Sequence, residues 1–146
     1  MQQGDEIPKF MDRLVQAEQV FVFLSDKYLK SPYCMYELFG IWRECSERGE
    51  EFKARAKFFV FPSAQIYSEA GIDGYQAHWE RAAAALEENI ARQLKVTAVE
   101  RFARMKRFQR YARDSQHVLE FIRGLKHASK LDDFIADALK TLPRRA

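Results

Sequence analysis

The sequence predicts an α/β fold, a parallel sheet with helices on both faces and helices outnumbering strands. Two short runs read as strands, Val20 to Leu24 and Lys57 to Phe61, and the first is nearly continuously apolar, rich in β-formers and of the kind buried on both faces of a parallel sheet. The segment between them has helical spacing, which supplies the long crossover that a parallel pair needs. Helical patterns also precede the first run and follow the second. Two strands make a poor sheet, so an incomplete one is expected.

In chain order, Ile7 to Ala17 places Ile7, Phe10, Met11, Leu14 and Val15 at amphipathic helical spacing. Asp5 suits its N-cap and Pro8 its first turn. The strand Val20–Leu24 ends at Ser25. Ser31 and Pro32 then mark a second helix start, and Cys34, Leu38, Ile41 and Cys45 form its buried stripe. That helix is expected to stop near Glu47–Gly49, with Gly49 in the left-handed cap position. The second strand is stopped by Pro62, and residues 63–74 read as a loop. Residues 75–113 turn helical with a break near Val96–Thr97, and Leu86, Ile90, Leu94, Phe102, Met105 and Phe108 mark an inner face. Two more helices follow, around Val118–Leu125 and Leu131–Leu139. A short strand plus a turn also fits the first of these.

Composition bounds the function. The chain has 146 residues, 47% apolar and 14% aromatic, which suits one globular domain and excludes a disordered chain. No apolar run approaches the roughly 20 residues of a membrane span, and the start lacks a secretory signal, so a cytoplasmic protein is expected. Cys34 and Cys45 sit eleven residues apart in one helix, about 16 Å along its axis. That is too far for a disulfide. His78, His117 and His127 are scattered without metal-site spacing, so no metal is expected.

Residues 4–38, GDEIPKFMDRLVQAEQVFVFLSDKYLKSPYCMYEL, carry the most specific pattern. The ordered series Ser25-Asp26-x-Tyr28-Leu29-x-Ser31-x-x-Cys34-x-x-Glu37-Leu38 resembles the middle of a TIR (Toll/interleukin-1 receptor) domain of bacterial type. The resemblance is strongest over residues 4–62. It implies a flavodoxin-like three-layer parallel sheet, here lacking the strand–helix–strand that opens a complete TIR domain. It also implies an activity: cleavage of the nicotinamide–ribose bond of NAD, in bacterial signalling or defence, with NAD as substrate and no cofactor. The catalytic glutamate of such domains corresponds to Glu37, where a carboxylate would stabilise the oxocarbenium character of the ribose. Nicotinamide leaves as a neutral molecule, so one carboxylate can suffice.

Spacing alone leaves Glu37 a solvated helix residue, and the resemblance makes it the catalytic position. Gly40 leaves room beside it, and Tyr33 or Tyr36 offers an aromatic surface. Gly4, Ser25, Tyr28, Ser31 and Trp42 are the accompanying NAD-binding candidates. Ser31 is equally explained as a helix cap, Ser25 as a strand-end hydroxyl, and Trp42 as core. The alternative the resemblance offers is a non-catalytic module that acts by association with other TIR domains or with itself. Residues 92–113 hold eight basic residues and one acid, +7 locally against −4 elsewhere. Their aromatics fit a core stripe better than stacking on bases, so a nucleic-acid partner is disfavoured.

Overall fold

The computed structural model describes residues 19–92, 98–125, 127 and 130–141. Strand β1 (Val20–Leu24) leads through α1 (Asp26–Leu29), α2 (Pro32–Glu44) and α3 (Gly49–Arg55) to β2 (Ala56–Val60). Two long helices, α4 (Glu69–Arg92) and α5 (Ala98–Arg123), and a final α6 (Leu131–Thr141) complete the order. The chain is thus mixed α/β and helix-rich, with a small parallel sheet in which Val20 pairs with Ala56 and Leu24 with Val60. The expected helix at residues 7–17 and Gly4 lie outside the described residues.

Strand alternation divides the sheet into two unlike faces. Val20, Val22, Leu24, Ala56 and Phe58 point into the main core. There the Phe52 ring meets Phe58 at 5.5 Å and Trp42 edge-on at 4.9 Å. The opposite face carries Phe21, Phe23, Lys57 and Phe59, and α6 lays Phe134 on it. Phe134 stands 6.2, 5.5 and 5.6 Å from those three rings. Coverage is partial, since Phe23 remains 43% exposed. The expectation that β1 is buried on both faces therefore holds for its core face, while on the other Phe21 is half-buried and Phe23 exposed.

Helix α2 begins as its sequence dictates. The Ser31 Oγ accepts the Cys34 N–H at 3.3 Å and Pro32 opens the first turn. Its end differs from expectation. The helix stops at Glu44, and the left-handed turn is made by Ser46 and Glu47, at φ 54° and 56°. Gly49 instead opens α3, a helix the sequence reading did not anticipate. It is glycine because a Cβ there would lie 2.5 Å from the Phe121 ring.

The expected loop over 63–74 is shorter, because α4 starts at Glu69. The Ser68 Oγ accepts the Gly71 N–H at 3.0 Å, capping the helix. Gly71 suggested a loop but is imposed by close approach: a Cβ would stand 1.9 Å from the Gln65 carbonyl oxygen. The described part of α4 ends at Arg92 and that of α5 begins at Ala98; the expected break near Val96–Thr97 lies outside the described residues. The two helices pack antiparallel, with Trp79 against Phe108 and Tyr111. Tyr111 also meets Phe39 at 5.0 Å, fastening α2 to this hairpin.

Two further expectations need correction. Residues 118–123 are neither a separate helix nor a strand; they continue α5, with Val118, Leu119 and Ile122 fully buried. Phe102 is 49% exposed and leaves the expected inner face, whereas Met105 and Phe108 are buried as expected, joined by Tyr111 and Ala112. Leu94 lies outside the described residues.

Candidate active site

Parallel strands gather functional groups at their carboxyl ends, where loops and helix starts converge. Here that end is formed by Ser25 and Asp26 after β1 and by residues 61–65 after β2. The Ser25 Oγ accepts the Tyr28 N–H at 3.0 Å and so starts α1. The Asp26 N–H donates to Ser63 Oγ at 3.2 Å, tying the two strand ends together. Tyr75 reaches in from α4, donating to Asp26 Oδ1 at 2.7 Å and accepting the Gln65 N–H at 3.0 Å. Behind it, the buried Trp79 Nε1–H donates to the Leu29 carbonyl at 3.0 Å. Two ring N–H and O–H groups of α4 thus fix the chain that follows β1.

On this frame sit Tyr28, Cys34 and Glu37. The Tyr28 hydroxyl is buried without a partner in hydrogen-bonding geometry among the described residues. It stands near the Glu37 carboxyl and the Cys34 thiol, an electrostatic neighbour of both. Burial pushes the Tyr28 hydroxyl well above the ordinary tyrosine value, and Glu37 and Cys34 push it further. Glu37 is half-buried, and desolvation raises its carboxyl above the ordinary glutamate value against the opposing pull of the Tyr28 hydroxyl. Burial also raises Cys34, with Ser31 opposing and Glu37 adding to it. Such a thiol stays protonated at neutral pH, which argues against a cysteine nucleophile.

The structure therefore brings Glu37 and Tyr28 together, with Ser31 bonded to the Cys34 backbone beside them. Ser25 lies at the start of the same turn. Trp42 stands apart: it is 4% exposed and packed against Phe52, His117 and Phe121. Tyr33, four residues before Glu37, is 45% exposed and presents an open ring, whereas Tyr36 lies under the Arg107 guanidinium at 5.6 Å. Comparison with known proteins adds no relative.

No family model, curated protein or solved structure matches this chain.

Asp26 stands in the sequence pattern without an assigned role, and Ser63, Tyr75 and His78 were not among the site candidates. His78 is half-buried on α4, where burial and then Lys30 and Arg81 lower its pKa below the ordinary histidine value, against the Lys30 carbonyl and Asp26. The available signal was the aromatic spacing Tyr75-x-x-x-Trp79, which places both rings on one helical face. Nothing in the sequence indicates that this face meets Asp26 and Leu29.

Proposed function

We propose that the chain is a TIR-like NAD glycohydrolase in which Glu37 is the catalytic carboxylate. This reading takes β1 and β2 as adjacent strands of a flavodoxin-like sheet. The observation that carries it is the half-buried Glu37 carboxyl beside the buried Tyr28 hydroxyl, close to the carboxyl end of a parallel strand. In the reaction the C–N bond between ribose and nicotinamide breaks, and nicotinamide keeps the bonding electron pair. Positive charge develops on the ribose. A carboxylate in a desolvated setting opposes that charge more strongly than one in water. Water then adds to the anomeric carbon and releases a proton, giving ADP-ribose.

Glu37 serves this role in its ionised form, half-buried on α2. The exposed Tyr33 ring offers a stacking surface one helical turn away. Incubation of the chain with NAD and chromatographic detection of nicotinamide tests the proposal. Release is expected from the wild-type protein and not from Glu37→Ala.

A second reading, a non-catalytic module acting by TIR–TIR association, draws on a different observation. Leu131, Ile135 and Leu139 recur along α6 at 39, 43 and 65% exposure, and Phe23 is exposed on the sheet face that α6 covers. Exposed apolar surface of this kind favours partner binding. Light scattering tests it: concentration-dependent association that Ile135→Lys and Leu139→Lys abolish, in a chain that leaves NAD intact, would favour the module.

A further inference from the structure

A cavity of about 310 Å³ lies at the opposite end of the sheet, where the two strands begin. Its walls are the first residues of β1 and β2, the end of α3, the turn after α5, and α6. None of the residues around Glu37 lines it, so it is a separate place in the molecule. Its volume falls at the lower end of the roughly 300–1,000 Å³ range of ligand clefts.

We propose that this cavity binds a small apolar monoanion, an aromatic or aliphatic body carrying a single carboxylate. Phe21, Phe58, Leu125 and Phe134 supply the apolar lining, with Phe21 and Phe134 edge to face at 6.2 Å. Rings in this arrangement accept a flat or short aliphatic group by area burial. Charge selects the head. Lys53 and Lys57 bring two ammonium groups and Asp137 one carboxylate, leaving one positive charge in excess.

The Lys57 side chain is also held in place. Its Nζ donates to the Lys53 carbonyl at 3.2 Å, which fixes the ammonium at the wall. Lys57 is half-buried along its stem while its ammonium stays at the exposed rim, and an ammonium carries three donors, so others remain to meet an anionic head. His127 lies with Nε2 2.7 Å from the Ile122 carbonyl. A carbonyl can only accept, so this nitrogen carries the hydrogen and the ring is fixed as a wall. A cation would be repelled by the lysines, and a neutral ligand would gain nothing from their charge.

The test uses the full chain and three probes that share a phenylbutyl body: 4-phenylbutyrate, 4-phenylbutan-1-ol and 4-phenylbutylamine. Calorimetric titration is expected to show saturable one-to-one binding of the carboxylate, at least tenfold tighter than the alcohol, with no binding of the amine. Lys57→Gln and Lys53→Gln should each weaken the carboxylate several-fold while leaving the alcohol unchanged. Ala138→Trp, which fills the cavity, should abolish both. Three results would overturn the proposal. They are equal affinity for carboxylate and alcohol, carboxylate binding unchanged in both lysine variants, or no saturable binding by a chain that melts cooperatively. Because the readout is binding, it stands whether or not the protein cleaves NAD.

Discussion

The Tyr75 hydroxyl donates to Asp26 Oδ1 at 2.7 Å across 49 residues of sequence, and the Tyr75 oxygen itself accepts the Gln65 N–H. One side chain of α4 thereby holds the turn after β1 and the loop after β2. Tyr75→Phe removes both bonds and leaves the Gln65 N–H without its acceptor. A loss of about 1–3 kcal/mol is expected from two hydrogen bonds worth about 0.5–1.5 kcal/mol each, measured by urea unfolding at pH 7.

The Tyr75 hydroxyl, with Lys30 assisting, holds the Asp26 carboxyl below its ordinary value. A depressed acid stabilises the fold above its unfolded pKa of about 3.9 and loses that contribution as pH falls through the folded value. The difference in stability between wild type and Tyr75→Phe should therefore shrink below about pH 4. Thermal melts across pH 2.5–7, a range chosen around that reference value, check it. A constant difference would contradict the account.

Gly71 and Gly74 lie one turn apart on α4 and should respond oppositely to alanine. At Gly71 the new methyl meets the Gln65 backbone at 1.9 Å, and about 1–3 kcal/mol of overpacking is expected. At Gly74 a Cβ meets nothing within 4 Å, so alanine should stabilise by about 0.5–1 kcal/mol through helix propensity. Paired denaturation curves separate the two.

Phe134 is the residue through which α6 is fastened to the sheet, in contact with three phenylalanine rings. Phe134→Ala is expected to cost about 3–5 kcal/mol. Protection of α6 amides from hydrogen exchange should fall first, while the α4–α5 hairpin keeps its own.

Glu37 carries a pH signature of the opposite sign to Asp26. Its raised carboxyl contributes stability below the unfolded pKa, and that contribution is lost as pH rises through the folded value. Glu37→Gln should therefore melt higher than wild type at pH 7, with the gain disappearing toward pH 4. Any nicotinamide release should rise with pH through the same raised value, since the ionised carboxylate is the working form.

How much of this was legible in the sequence varies by element. Both strands and the Ser31–Pro32 helix start were readable, because β-rich apolar runs and a serine–proline cap are local signals. Glycine misled twice. Gly49 suggested a C-cap and Gly71 a loop, yet both are glycine because Phe121 and the Gln65 carbonyl crowd them. Those neighbours are distant in sequence or set by tertiary packing, so no local pattern reveals them. The pairing of Glu37 with Tyr28 was suggested by resemblance, whereas the anchoring of Asp26 by Tyr75 needed the fold. Phe102 lies at a helical spacing that fits the inner face, but the antiparallel partner α4 turns that face toward Met105 and Phe108.

The most direct measurement is the time course of nicotinamide release from NAD by wild type, Glu37→Gln and Glu44→Gln at high protein concentration. Glu44 is an exposed acid on the same helix and serves as the matched control. The account predicts release by wild type and Glu44→Gln, and a loss of at least about a hundredfold in Glu37→Gln, the scale of removing one transition-state charge contact. Equal release by all three folded proteins, or none by a folded wild type, would contradict it.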